Sequence, residues 1–166
     1  MTIHYRDHLT ESDRLSLEVI LKSTAMFYPE EIGVALELVD EGLIKGPASG
    51  YHFLLALSDA GDVLGYTCFG PIPCTRDSYD LYWIAVRHDE QGKGIGKNLL
   101  KKTQRIIAKL GGERVYIETS SRKSYAPTRA FYQKEGYSEE AVIKDFYSTG
   151  DDKIIFLRRL SDYELS

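Results

Sequence analysis

Apolar and polar positions follow two different periods along the chain, and the switches between them mark out the elements. Ile3-His4-Tyr5-Arg6 alternates as a strand does. Thr10-Glu11-Ser12-Asp13 reads as a helix start, with Leu15, Leu17, Val19, Ile20 and Leu21 as the apolar positions that follow. Pro29 ahead of Glu30 and Glu31 predicts a second start, because proline suits the first helical turn. Ile32, Ala35, Leu36, Leu38, Val39 and Leu43 give that helix its apolar face. Residues 46–50 form a loop across which composition does not change.

From Tyr51 the period becomes that of strands. Residues 51–57 and 63–70 flank the turn Ser58-Asp59-Ala60-Gly61-Asp62 and predict a hairpin. After a loop over 71–78, residues 79–86 end apolar on both faces, which suits a central strand covered on both sides. Leu99, Leu100, Thr103, Ile106, Ile107 and Leu110 then share one helical face, while Lys97, Lys101, Lys102, Arg105 and Lys109 take the other. Gly111-Gly112 closes that helix. Residues 114–119 predict a strand with Val115 and Ile117 on one side and Tyr116 and Glu118 on the other. A polar loop over 120–127, a short helix over 128–135, and strands over 137–143 and 153–158 around the turn at 148–152 complete the chain. The order predicts an α/β (α+β) fold with one large mixed sheet, and there is no internal repeat.

Candidate chemistry sits between the strand at 79–86 and the helix after it. Gln91-Gly92-Lys93-Gly94-Ile95-Gly96-Lys97 places three alternate glycines where the helix begins. A helix N-terminus offers free N–H groups and a positive dipole end, so it favours an anion, phosphate above all. Glycine lets such a group approach the backbone closely and permits dihedrals closed to other residues. The spacing then decides among phosphate loops. The dinucleotide fingerprint needs G-x-G-x-x-G in an early βαβ unit, whereas these glycines stand at 92, 94 and 96 behind three strands. A Walker A loop needs G-x-x-x-x-G-K-[ST]; here the span is one residue short, and Asn98 stands where a hydroxyl should hold magnesium.

Composition narrows the classes further. At 166 residues, one domain spanning 1–166 is the expectation, with ordinary globular values of 43% apolar and 28% charged residues. A net charge of −4 argues against a nucleic-acid partner and suits an amine slightly better. No apolar run approaches the roughly 20 residues that span a bilayer, and His4, Arg6, Asp7 and His8 interrupt any signal-peptide core. No membrane partner and a cytoplasmic location are therefore expected. Cys68 and Cys74 read as reduced thiols, and the four histidines show no metal spacing, so no metal is expected.

Gln91-x-x-Gly94-x-Gly96, directly after a strand and opening an amphipathic helix, resembles the pyrophosphate-binding motif of the GCN5-related N-acetyltransferases (the GNAT superfamily). Ile84-Ala85-Val86 is similar to the strand that leads into it. Arg129-Ala130-Phe131-Tyr132-Gln133-Lys134-Glu135-Gly136-Tyr137 resembles that family's second signature, A-x-x-F/L-Y-x-x-x-G-F/Y. The resemblance covers about residues 51–160.

It implies the GNAT fold: a mixed sheet of about six to seven strands flanked by about four helices, with two parallel central strands that splay apart, here 79–86 and 114–119. It implies acetyl-CoA as donor, its pyrophosphate on the backbone from Gln91 through Gly92, Lys93, Gly94, Ile95 and Gly96 to Lys97, and its pantetheine along Ile84, Ala85 and Val86. It implies a primary amine as acceptor, in a direct transfer through a ternary complex; a non-catalytic acyl-CoA binding or sensing module is the alternative, and a homodimer is an open assembly. Tyr132 matches the tyrosine that faces the CoA sulfur and becomes the candidate general acid, while Glu118 is the candidate base or relay carboxylate. Many relatives carry asparagine seven residues before that tyrosine; here Tyr125 stands there. Asp80, Tyr82 and Tyr147, with Glu118, are the candidates to face the acceptor, and Asp145, Asp151 and Asp152 flank the last hairpin.

Overall fold

The computed structural model describes residues 1–160; residues 161–166, which the expected domain span includes, lie outside the described residues. Seven strands and four helices follow in the expected order: β1 (His4–Arg6), α1 (Asp13–Ser23), α2 (Pro29–Lys45), β2 (His52–Leu57), β3 (Val63–Pro71), β4 (Ser78–Val86), α3 (Ile95–Lys109), β5 (Arg114–Ser120), α4 (Ala126–Lys134), β6 (Ser138–Ser148) and β7 (Asp151–Arg159). The strands order as β1-β2-β3-β4-β5-β7-β6 in one sheet. The β1–β2, β2–β3, β5–β7 and β7–β6 pairs are antiparallel, and β4–β5 is parallel. That parallel ladder covers three residue pairs, Ser78↔Arg114 to Asp80↔Tyr116. This is the mixed sheet and helix complement that the sequence predicts.

The described residues form two compact units: Met1–Gly70 with Leu81–Arg105, and Pro71–Asp80 with residues 106–160. In the first, α1 and α2 bury Leu17, Ile20, Leu21, Ala35, Leu36 and Val39 against Phe53, Leu55, Tyr66, Cys68 and Ala85. Each fully buried aliphatic side chain there contributes about 1.5–3 kcal/mol. The helix starts explain themselves locally. Glu31 turns back to accept from the Tyr28 N–H at 2.6 Å, a capping box ahead of Pro29. Asp13 is buried at the head of α1 and accepts two bonds from Arg6 of β1 (2.8 and 2.9 Å) and two from Thr10, its N–H (2.6 Å) and its hydroxyl (3.0 Å). Burial pushes the Asp13 carboxyl up, but those donors outweigh it and leave the group below the usual carboxylate range.

In α3 the buried positions are Ile95, Leu99, Leu100, Thr103, Gln104 and Ile107. Leu110, expected on the apolar face, is exposed; α3 ends at Lys109, so it lies just beyond the helix. In the middle of the helix, Thr103 meets Thr67 of β3 in a buried hydroxyl pair at 2.7 Å.

The second unit is built on β5, β7 and β6. Seven register pairs, Arg114↔Arg159 to Ser120↔Lys153, hold β7 beside β5. Helix α4 starts at Ala126, two residues earlier than the pattern predicts, with Pro127 in its first turn. β6 runs on to Ser148 and β7 begins at Asp151, so both strands are longer than their apolar runs.

Candidate active site

The glycine loop belongs to the first unit and is a backbone structure. β4 ends where the Arg87 N–H donates to the Leu64 carbonyl (2.8 Å) and the His88 N–H to the Ser23 hydroxyl (3.2 Å). Gln91 then fastens the turn: its side-chain amide donates to the Val86 carbonyl at 3.1 Å and its backbone N–H to the His88 carbonyl at 3.3 Å. Gly92 and Gly94 follow with φ of +76° and +82°, a region L side chains rarely enter. A Cβ at either would meet nothing within 4 Å, so open space lies over the loop.

The first helical bond of α3 is Asn98 N–H to the Gly94 carbonyl, at 3.0 Å. The N–H groups of Gly94, Ile95, Gly96 and Lys97 therefore have no intrahelical acceptor. Four donors at a positive dipole end, beneath open space, fit a diphosphate. Lys93, which could have met a phosphate, pairs with Glu90 at 2.9 Å; Lys97 is exposed. Asn98 bonds the Tyr5 phenol, which accounts for its place in the helix without a metal. Ala85 is buried, while Ile84 and Val86 are half-buried. Tyr82 stacks edge-on against Tyr51 with ring centres 5.4 Å apart.

In the second unit β5 separates two environments. Tyr132 is 4% exposed, and its ring packs 5.9 Å from both Tyr137 and Phe156. Phe156 is the register partner of Ile117, so Tyr132 lies on the Ile117 face of the sheet. Glu118 points to the other face. The strand's alternation therefore sets the candidate acid and the candidate base on opposite sides of β5.

Burial pushes the Tyr132 phenol well above its ordinary value, with Tyr137 and Tyr125 adding to it, so it stays protonated throughout the physiological range. Tyr125 is buried beneath the Arg122 guanidinium, 4.9 Å from its ring centre. Arg129 positions this helix start: one of its nitrogens donates to the Ser120 carbonyl (2.8 Å) and to the Arg122 carbonyl (2.9 Å).

On the opposite face, Glu118 pairs with Lys153 of β7 at 3.0 Å. The same ammonium lies 3.8 Å from the centre of the Phe146 ring and 6.0 Å from that of Tyr147. Asp80 is half-buried on the same face, opposite Tyr116. Burial, then the Glu118 charge, raises its carboxyl to about 6, while Lys153 opposes the rise.

The hairpin aspartates have local duties. Asp145 accepts from the Gly150 N–H (2.7 Å), Asp152 from the Asp145 N–H (2.9 Å), and Asp151 from the Ser120 hydroxyl. Lys153 and Arg129 are the residues that sequence reasoning missed. Lys153 carried no local signal, because β7 inserts between β5 and β6 and only that register brings residue 153 to Glu118. Arg129 lay inside the second signature but was read only as part of it. Among the described residues no cluster of three His, Cys, Asp or Glu side chains could hold a metal, and no helix is long and apolar enough to cross a membrane.

The first unit thus presents a loop of N–H groups without intrahelical acceptors after β4, and the second carries a buried tyrosine on the short helix α4. Residues 49–139 match the family described as "Acetyltransferase (GNAT) domain". The chain is 45% identical to a GNAT-family protein of known structure from Desulfovibrio desulfuricans, over 96% of this chain and 99% of that one, with a TM-score of 0.93. It is 31% identical to the uncharacterised N-acetyltransferase YuaI of Bacillus subtilis over 55% of this chain. The match spans about half the length of that relative (51%). The paia N-acetyltransferase of Thermoplasma acidophilum, solved with coenzyme A, shares the fold at 21% identity over 96% of this chain and 99% of its own, with a TM-score of 0.73. This chain belongs to the GNAT family of acetyltransferases.

Proposed function

We propose that the chain acts as one domain, an acetyl-CoA-dependent N-acetyltransferase that moves the acetyl group directly to a primary amine. The observation that carries this reading is the run of four donors, Gly94 to Lys97, at the head of α3 under open space. Family membership and a neighbour solved with coenzyme A support the same donor. Acetyl-CoA supplies an activated thioester; the chain supplies binding, orientation and proton handling.

Gly92 to Lys97 hold the diphosphate, with Gln91 fixing the turn. Ile84, Ala85 and Val86 offer strand backbone to the pantetheine. Tyr132, kept protonated by burial, donates a hydrogen bond to the departing sulfur, with Tyr125 at the start of the same helix. Proton removal from the acceptor ammonium falls to the carboxylates of the other face, Asp80 and Glu118, and Tyr82 and Tyr147 are the aromatic side chains we assign to the acceptor. An acceptor that reaches its nitrogen past Phe146 and Tyr147 meets aromatic rings and carboxylates, both favourable to a cation.

Titration calorimetry with acetyl-CoA, CoA and ATP tests the donor. Heat with acetyl-CoA and CoA, and none with ATP, is expected; silence with acetyl-CoA overturns the reading. An amine panel read by thiol release separates transfer from binding alone: tight donor binding with no amine acetylated would leave a non-catalytic acyl-CoA module.

A further inference from the structure

Two carboxylates, Asp80 and Glu118, share the face proposed for the acceptor, but their surroundings differ. Glu118 is half-exposed and held by the Lys153 ammonium at 3.0 Å. Lys153 is itself fixed: its side chain is only 12% exposed and lies against Phe146. Asp80, one strand over, makes no hydrogen bond or ion pair among the described residues, although it is half-buried. Its register partner is Tyr116, Glu118 stands two residues further along β5, and Lys153 lies opposite Ser120 on β7. Two further charged groups lie on this face of β5 and β7: Arg114, opposite Ser78, and Arg159, the β7 register partner of Arg114. Arg114 is occupied, with its Nε on the Ser78 hydroxyl (3.2 Å) and its other nitrogens 3.5 Å from Glu113 and 3.9 Å from Asp77.

We propose that Asp80, not Glu118, takes the proton from the acceptor ammonium, and that Lys153 is a positioning residue that holds Glu118 as a fixed countercharge. This rests on the acetyl-transfer reading. A carboxylate clamped by an ammonium must break that pair before it can accept a proton, whereas a carboxylate without a partner accepts one at once. Glu118 still acts on Asp80 through space: its negative charge makes the neighbouring carboxylate a better proton acceptor, and Lys153 limits the effect.

The balance is as follows. The acceptor enters as an ammonium and gives one proton to Asp80, which passes it to solvent. The free amine nitrogen attacks the thioester carbonyl, the C–N bond forms and the C–S bond breaks. The nitrogen sheds a second proton and the departing sulfur gains one, leaving an amide and a thiol.

The test uses the wild-type chain, Asp80→Asn, Glu118→Gln and Lys153→Met. The first step finds one acetylated amine; the second follows kcat/KM against pH. Asp80 in the wild type should give an acid limb near pH 6. Asp80→Asn should lose that limb and about a hundredfold in rate. Glu118→Gln should keep the limb at lower pH, because a repelling charge is gone. Lys153→Met should move it to higher pH, a displacement that loss of packing alone would not produce.

Carbon-13 NMR of the carboxylates in the free protein gives a second readout that does not depend on the folding of Asp80→Asn. The Asp80 resonance should titrate near pH 6 and follow the same two displacements. An Asp80 resonance in the ordinary carboxylate range, or a limb that survives Asp80→Asn and vanishes in Glu118→Gln, overturns the proposal. If the wild type acetylates no amine, acetyl transfer itself falls and this inference with it; if it acetylates one and the limb survives Asp80→Asn, only this inference falls.

Discussion

The glycine loop and the Asp80–Glu118–Lys153 patch use opposite means to present charge. The loop works through backbone: its donors are N–H groups, its shape comes from two positive φ angles, and Lys93 within it pairs with Glu90. The patch works through side chains on three strands, and its electrostatics depend on which carboxylate the lysine holds. A backbone site recognises a group common to every reaction of a family, because any sequence with the right glycines reproduces it. A side-chain site can be retuned by single substitutions. The difference suits a constant donor and a variable acceptor.

Tyr132→Phe should break the comparison most sharply, since it removes one hydroxyl and no backbone donor. Turnover should fall about a hundredfold, while acetyl-CoA affinity stays close to the wild-type value by calorimetry. Unchanged turnover would remove Tyr132 from the chemistry.

Gly94→Ala comes next. Its φ of +82° costs an L residue about 1–2 kcal/mol, although its Cβ would touch nothing. The loop should leave its conformation, and acetyl-CoA should bind about tenfold more weakly. Gly96→Ala should cost less, because Gly96 lies inside α3 and is not among the positive-φ glycines. Equal losses at the two positions would mean that crowding against the ligand, not backbone conformation, explains the glycines.

Both sites left traces in the sequence, of unequal quality. The loop was legible because its signal is contiguous: glycine spacing, a preceding strand and a following amphipathic helix all lie between residues 79 and 110. Tyr132 was legible for the same reason, within one short signature. The patch was legible only in pieces. Asp80 and Glu118 could be assigned to strand faces by alternation, but their ranking could not, because it rests on Lys153. That lysine reaches Glu118 through a strand order in which β7 lies between β5 and β6, which no local pattern encodes. The opposition of Glu118 and Tyr132 across β5 was in principle readable from the alternation of Ile117 and Glu118, yet it also needed Phe156 placed beside Ile117. The facing ends of β6 and β7 were shifted by turn chemistry, where Asp145 and Asp152 bond backbone groups and extend the hairpin.

The smallest expected effect concerns the scaffold under the loop. Thr67 and Thr103 are both buried, and their hydroxyls meet at 2.7 Å, so a buried polar contact joins β3 to the helix that carries the donors. Thr67→Val or Thr103→Val alone leaves the other hydroxyl buried without this partner and should lower stability by about 1 kcal/mol. The double substitution removes both polar groups and keeps the volume, so most of that loss should return. Denaturant midpoints of the four proteins close the cycle. Acetyl-CoA affinity should change less than in Gly94→Ala, because the N–H groups of Gly94 to Lys97 are set by the turn and the first helical bond, about two turns ahead of Thr103. If the single threonine variants weakened donor binding as much as Gly94→Ala, the loop would depend on side-chain packing after all, and the contrast between a backbone site and a side-chain site would fail.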